Sequence, residues 1–280
     1  MKADCHIHAV LDGVDWKAAI RRHASKPDDG FLRNMLKIYA DQGYTYLRDG
    51  GDRWDAGLRA RELSAEYGIT YRTPGSPLCQ AGHYGGFIGT TYETLTEYAR
   101  LVVNGRKSGW DFIKIMISGL MDFNQFGVLT EPGMEKSQIR ELIRIAHEEG
   151  MAVMAHANGA DTVIAAAEAG VDSVEHGAYL NDEALYAMKQ AGTVWVSTLS
   201  TVGNLRGKGR FSEVDVTKIL ENTTYYVNHF NAIGGLIAPG TDAGAWAVPH
   251  GSETEFDLLH RAGVTNEILQ KGIAKITEKF

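Results

Sequence analysis

A regular alternation of short apolar runs and longer amphipathic segments extends through the whole chain. We predict buried parallel strands at the runs, because their apolar character is continuous rather than alternating. The eight predicted strands are Ala3–His8, Tyr44–Arg48, Ile69–Thr73, Phe112–Ile117, Ala152–His156, Ser173–His176, Val194–Thr198 and Leu236–Thr241. Helical periodicity marks the segments Phe31–Asp41, Trp54–Tyr67, Tyr92–Lys107, Lys136–Glu149, Ala160–Glu168, Asp182–Gln190, Val214–Ile233 and Ser252–Lys279.

Glycines stand where each of the first seven helices should end, as is typical of helix C-caps. They are Gly43, Gly68, Gly109, Gly150, Gly170, Gly192 and Gly234. Eight strand–helix units without a break in composition predict an α/β protein with a single (β/α)8 TIM barrel over residues 1–280. An open α/β sheet is the alternative, but it rarely needs eight regular repeats. Three long connections after strands, Pro74–Thr91, Ser118–Glu135 and Ser200–Asp215, are the candidate substrate loops.

Charge and composition restrict the classes of partner. The 280 residues are 44% hydrophobic and carry a net charge of -7, which argues against nucleic acid and anionic membranes. Two cysteines are too few for a disulfide framework, and no run approaches the length of a membrane span. The first strand begins at once, leaving no room for a signal peptide. We therefore expect a cytoplasmic protein that acts on a small molecule, with homo-oligomerisation left open.

Metal-capable side chains fall at the predicted strand ends, where barrel enzymes keep their chemistry. A lone His-x-His pair is a weak signal, and so is any single histidine. Four histidines and an aspartate that all fall at strand ends are much harder to obtain by chance and predict a metal site, and Lys114 lies within the fourth strand near them. The five are His6, His8, His156, His176 and Asp242. Imidazole and carboxylate suit zinc, although manganese, iron and cobalt would accept the same ligands.

These segments resemble the successive signatures of the amidohydrolase superfamily across almost the whole chain. The closest resemblance is to the branch with prolidase-like and Xaa-Arg dipeptidases and imidazolonepropionase-like enzymes. The matching blocks are residues 4–8 (Asp-Cys-His-Ile-His), 47–51 (Leu-Arg-Asp-Gly-Gly), 112–119 (Phe-Ile-Lys-Ile-Met-Ile-Ser-Gly), 155–159 (Ala-His-Ala-Asn-Gly), 174–180 (Val-Glu-His-Gly-Ala-Tyr-Leu) and 240–244 (Gly-Thr-Asp-Ala-Gly).

The resemblance implies two divalent metal ions. His6, His8 and Asp242 would hold the more buried ion, and His156 and His176 the more exposed one. Lys114, as a carbamate, would bridge them; the alternative is a lysine that reaches solvent or pairs with a carboxylate. A hydroxide shared by the ions would attack the scissile carbonyl, with Asp242 as general base and then acid. The catalytic residues would thus be Asp242, Lys114 and His176.

Substrate-binding residues are less sharply indicated. His83 could contact a substrate carbonyl or carboxylate, and Tyr179 could donate to an oxyanion. A loop histidine without a role and a packed tyrosine are the alternatives. Arg48, beyond the second strand, and Arg206 are candidates for binding a carboxylate. Arg206 shares its loop with Lys208 and Arg210, and a solvated loop is the alternative there.

The chain departs from the resemblance in two ways, and both leave the substrate open. The accessory β-sandwich of many superfamily members is not expected here, and Leu120 stands where the dipeptidase-like branch has a second glycine. The favoured reaction is hydrolysis of an amide-type C–N bond in a dipeptide, an N-acyl amino acid or a cyclic amide. Hydrolysis of a lactone, ester or phosphoester is the alternative, and a non-catalytic barrel with vestigial metals is the least favoured.

Overall fold

The computed structural model describes all residues 1–280 and contains ten strands and eleven α-helices. The strands are β1 (Ala3–Ile7), β2 (Tyr46–Asp49), β3 (Thr70–Arg72), β4 (Leu78–Gln80), β5 (Thr90–Tyr92), β6 (Ile113–Met116), β7 (Val153–Ala157), β8 (Ser173–His176), β9 (Val194–Val196) and β10 (Leu236–Ile237). The helices are α1 (Trp16–His23), α2 (Asp29–Asp41), α3 (Ala56–Ser64), α4 (Leu95–Lys107), α5 (Lys136–Glu148), α6 (Ala160–Glu168), α7 (Asp182–Ala191), α8 (Leu199–Gly203), α9 (Glu213–Ala232), α10 (Thr254–Arg261) and α11 (Asn266–Lys279).

All pairings between these strands are parallel, and they form two sheets. The smaller has the order β1-β2-β3 and the larger the order β10-β9-β8-β7-β6-β4-β5. Backbone hydrogen bonds join the sheets at one seam, from Cys5 N to Pro239 O (2.8 Å) and from Asp242 N to His6 O (2.7 Å). At the other seam Asp111 N donates to Thr73 O over 3.0 Å. The strands therefore surround one axis as a TIM barrel, as the sequence predicts.

Every predicted strand is present, and the predicted helix ends are also right. The seven glycines that the sequence marks as C-caps all have positive φ, between 67° and 85°. This left-handed conformation costs glycine little, whereas a Cβ would clash with the backbone. Each of these helices therefore turns sharply into the strand that follows it.

Some local predictions need correction. The segment Ser252–Lys279 is two helices, because Gly263 has a φ of 83° and Thr265 caps α11 by accepting a hydrogen bond from Ile268 N. Four short elements were not predicted from the sequence. Two are the helices α1 and α8, and two are strands in the first long connection, β4 within it and β5 at its end. The side chain of Asp15 caps α1 by accepting from two backbone N–H groups.

The largest apolar cluster lies between the barrel strands and the surrounding helices. The outward-facing residues Ile113, Ile115, Val153 and Ala155 belong to it. A smaller cluster plugs the barrel at the N-terminal ends of the strands and includes Phe280. The open end for binding is therefore at the C-terminal ends. None of the helices is both long and apolar enough to cross a membrane.

Candidate metal centre

A pocket opens at the C-terminal ends of the barrel strands, with a volume of about 430 Å³. Parallel strands bring their carboxyl ends to one rim, so side chains that are far apart in sequence meet there. All six predicted metal-capable residues line this pocket, namely His6, His8, Lys114, His156, His176 and Asp242.

The ligand atoms of three of these residues converge closely. One atom each of His6, His8 and Asp242 lie within 4.8 Å of one another. Asp242 Oδ1 is 3.2 Å from His8 Nε2 and 3.5 Å from His6 Nε2. The ring centroids of His6 and His176 are 5.2 Å apart, and those of His156 and His176 are 4.5 Å apart. The four imidazoles and the carboxylate thus form one continuous cluster.

Neighbouring groups orient the imidazoles. His6 Nδ1 lies 2.7 Å from Glu175 Oε2, and His156 Nε2 lies 3.1 Å from the carbonyl oxygen of Gly119. A ring nitrogen that donates to an oxygen fixes the tautomer and leaves the other nitrogen as a lone-pair ligand. These two rings are therefore held in the arrangement that metal-ligating histidines adopt.

The backbone adopts left-handed conformations at two of these residues and at one neighbour. His176, Thr198 and Asp242 have φ values of 68°, 46° and 55°, which are unfavourable for residues with a Cβ. Strand alternation would place His176 on the outer side with Val174, but the left-handed turn directs it into the pocket. There its Nδ1 lies 2.7 Å from the hydroxyl oxygen of Thr198. The strained backbone serves the site rather than the packing of the barrel.

Several buried polar atoms here have no hydrogen-bond partner within the protein. They are His6 Nε2, His8 Nδ1, Lys114 Nζ and Asp242 Oδ1. A buried polar group without a partner costs about 1–3 kcal/mol, so such a concentration within one cluster calls for a ligand. Imidazole nitrogens and carboxylate oxygens are the donors that zinc and its neighbours bind. The residues present therefore fit a divalent cation.

The protonation states support this fit. Burial, together with the positive charge of Lys114, lowers the pKa of His6 to about 4 and that of His156 to about 3. The pKa of His176 is also lowered, mainly by burial. These imidazoles are neutral at pH 7 and have lone pairs available. Burial likewise lowers the pKa of Lys114 to about 8, so roughly a tenth of this amine is neutral at pH 7, far more than for an ordinary lysine.

Arg48 does not reach the pocket, and its prediction as a substrate-binding residue is wrong. Its side chain is fully buried inside the barrel, where Nη2 donates to Glu175 Oε1 over 2.8 Å. Nε and Nη1 donate to the Cys5 carbonyl oxygen and the Ser173 hydroxyl, and the guanidinium stacks on Phe280. An arginine this enclosed cannot contact a substrate. It holds Glu175, which in turn holds His6.

Replacing Arg48 with methionine should destabilise the protein by about 3–5 kcal/mol, because it leaves a charged Glu175 buried without its cation. Burial opposes the ionisation of Glu175, yet Arg48 and His6 lower its pKa to about 2. Urea denaturation would measure the loss. The double variant Arg48→Met/Glu175→Gln should recover part of it. A single variant as stable as the parent would contradict an ion pair of this importance.

The remaining substrate-binding candidates lie outside the pocket lining. His83 is about half exposed, with Nδ1 3.3 Å from Glu131 Oε2. Tyr179 packs its ring edge-on against Phe126. Arg206 is exposed and does not line the cavity. The structure therefore places none of these three where it would touch a ligand in the pocket.

The three long connections do supply much of the pocket wall. Each contributes lining residues, among them Tyr84, Phe87, Leu120, Phe123, Leu205, Arg210 and Phe211. Tyr84, which the sequence analysis missed, packs its ring 4.8 Å from that of His156. Glu175 was missed too, although it lies within a matched motif. A charged residue within a predicted buried strand was the available signal, since buried charges are usually paired.

Comparison with known proteins assigns this chain to a family. Residues 4–202 match the amidohydrolase family. The ochratoxinase of Aspergillus niger is 26% identical over 224 residues, which cover 74% of this chain and 42% of that protein. The chain thus spans less than half the length of this curated relative.

Solved structures show the same fold. A Xaa-Pro dipeptidase with bound methionine superposes with a TM-score of 0.80 at 22% identity, covering 99% of this chain and 75% of that one. The Aspergillus niger ochratoxinase structure gives a TM-score of 0.78 at 20% identity, covering 99% and 70%. With residues 4–202 matching its model, the chain belongs to the amidohydrolase family, and it shares the fold of the dipeptidase and ochratoxinase structures.

Proposed function

We propose that this protein is a metal-dependent hydrolase that cleaves an amide-type C–N bond of a small molecule. The observation that carries the proposal is the convergence of four histidines, Asp242 and Lys114 on one pocket, with unpartnered polar atoms among them. The likeness to a dipeptidase supports an amide as the scissile bond.

Two divalent ions, with zinc the first candidate, would occupy the cluster. His6, His8 and Asp242 would hold one and His156 and His176 the other, with Lys114 between them. Ions held there would polarise the scissile carbonyl and make a water molecule acidic enough to attack it. The convergence of the first three residues within 4.8 Å supports this division.

Lys114 would bridge the ions as a carbamate. Its neutral amine adds to carbon dioxide, forming an N–C bond and releasing a proton, and the product carries a carboxylate in place of an ammonium. Burial favours the neutral amine, and Nζ donates no hydrogen bond to an acceptor that would favour the charged form. The change of sign turns a group that repels cations into one that binds them.

Asp242 would transfer the proton. Burial opposes ionisation of this carboxyl, but the neighbouring His6, His8 and Lys114 lower its pKa, so it is a carboxylate at pH 7. It would accept a proton as the water oxygen bonds to the carbonyl carbon. It would then donate that proton to the nitrogen as the C–N bond breaks, giving a carboxylic acid and an amine.

Metal analysis and a substrate panel test the proposal. Protein purified without chelator should contain close to two divalent ions per chain. It should hydrolyse amides, lose that activity on chelation and regain it with zinc or manganese plus bicarbonate. The panel should include dipeptides, N-acyl amino acids, cyclic amides, lactones, aryl esters and phosphoesters. Activity on esters alone would refute the reaction class, and protein that binds no ion under any condition would refute the proposal.

A further inference from the structure

The wall of the pocket above the candidate metal centre is largely apolar. Of its 23 lining residues, 14 are hydrophobic. Aromatic side chains contribute from several connections: Trp16, Tyr84, Phe87, Phe123, Phe211 and Trp246. Such a wall binds by removing apolar surface from water and by ring contacts, so it favours a bulky apolar or aromatic ligand over a small polar one.

Charged groups in the pocket are few and unevenly placed. Asp242 is the only carboxylate that lines it, and that residue belongs to the candidate metal centre. Besides the residues of that centre, Arg210 is the only cationic lining residue. A free ammonium group on a ligand would therefore have no carboxylate to pair with outside the candidate metal centre. A carboxylate on a ligand could pair with Arg210.

The guanidinium of Arg210 is positioned by aromatic rings. It lies 4.4 Å from the centre of the Trp246 ring and 5.2 Å from that of Phe211. Stacking holds the planar group in place while its N–H donors stay at the edge, and these make no hydrogen bond or ion pair with the protein. A planar fork of donors matches the two oxygens of a carboxylate.

Position separates this arginine from its neighbours on the same loop. Arg206 and Lys208 are also exposed cations, but neither lines the pocket. A general attraction of anions to a basic loop would involve all three residues. Recognition of a ligand that also touches the aromatic wall would involve Arg210 alone.

We propose that the substrate is an N-acylated aromatic amino acid, in which Arg210 binds the carboxylate and the aromatic wall binds the ring. This inference rests on the proposed function and selects one of its substrate classes. The acylated nitrogen carries no charge, which suits a pocket without a spare carboxylate. An ordinary dipeptide with a free ammonium group fits less well, because the only carboxylate side chain in the pocket lining, Asp242, belongs to the candidate metal centre and Arg210 would repel that group.

Ligand binding can be measured by rapid mixing, before turnover, because Trp16 and Trp246 line the pocket and report by fluorescence. Metal-loaded protein would be titrated with N-acetylphenylalanine and three comparison compounds. N-acetylphenethylamine lacks the carboxylate, N-acetylglycine lacks the ring, and alanylphenylalanine has a free ammonium group. The variants are Arg210→Gln and the matched control Arg206→Gln, with melting temperatures to show that both are folded.

We expect N-acetylphenylalanine to bind at least about tenfold more tightly than each comparison compound, a modest factor because the guanidinium is partly solvated. Arg210→Gln should remove the preference over N-acetylphenethylamine, and Arg206→Gln should keep it. Equal binding of all compounds, or a preference that survives in Arg210→Gln, would overturn the inference. Hydrolysis of amides without any preference for a carboxylate would overturn it too, while leaving the proposed function intact. Binding that depends on Arg210, without hydrolysis of any amide, would support the inferred carboxylate contact and refute the proposed function.

Discussion

Asp242→Asn should lower kcat/KM for amide hydrolysis by about 10²–10⁴-fold, the usual contribution of a general acid–base group. The asparagine amide cannot accept the proton that Asp242 would take, although it has nearly the same shape. The side chain also approaches His6 and His8 within 3.5 Å, so the variant should bind metal more weakly. Initial rates on the best amide of the panel and metal content per chain would measure both effects.

The control for this variant is Asp182→Asn, which makes the same chemical change at an exposed residue at the start of α7. Its rate should equal that of the parent protein. Melting temperatures should show that both variants are folded. If Asp242→Asn, at full metal occupancy, kept more than a tenth of the parent rate, Asp242 could not be the proton-transfer group.

Lys114→Ala should lower activity by about 10²–10³-fold, a typical loss when one charged stabilising group leaves an active site. The alanine removes the carbamate that would bridge the ions, so metal content should fall as well. A cavity remains where the lysine was. Acetate or propionate should enter it, supply a carboxylate at the same place and restore part of the activity and the metal content.

Lys114→Met provides the matched control, because it fills nearly the same space with an apolar chain. It should be as inactive as the alanine variant, and short acids should not rescue it. In metal-free protein its stability should equal or exceed that of the parent, since a buried amine without a partner is costly. In the parent protein, ¹³C-labelled bicarbonate should give a carbamate signal by NMR. Unchanged rate and metal content in both variants would refute the bridging role.

The architecture could be predicted because its signals are local and repeated. Each buried strand is a short apolar run such as Phe112–Ile117, and each of the first seven helices ends at a glycine. The repeat leaves few topologies for a chain of this length. Isolated local features were missed, such as α1, which has only eight residues and follows the capping residue Asp15.

The convergence of the metal-capable residues could also be predicted, since the carboxyl ends of barrel strands share one rim. His6 and Asp242 are 236 positions apart in sequence and meet because the first and last strands adjoin at a seam. Their roles as ligands remain proposals. The left-handed backbone at His176 was not predictable, because the alternation of side chains along a regular strand would place this histidine on the opposite face.

The tertiary structure decided which basic residues line the pocket. Arg48 and Arg206 were predicted to bind a carboxylate, but Arg210, on the same loop as Arg206, is the arginine that lines the pocket. In the folded chain Arg48 points into the closed end of the barrel, towards Glu175, and Arg210 stacks on Trp246 beside the cavity. Neither partner is near its arginine in sequence, so no local pattern could distinguish them.

By itself, the sequence determined the α/β barrel and the six residues that meet at one rim, because apolar periodicity and strand direction follow from local residue order. The tertiary structure alone decided what surrounds those residues: the Arg48–Glu175 pair behind His6, the contact of Tyr84 with His156, and the aromatic wall with Arg210. These features depend on side chains from separate connections meeting in space. Packing of the whole barrel, rather than the pattern of any one segment, brings these side chains into contact.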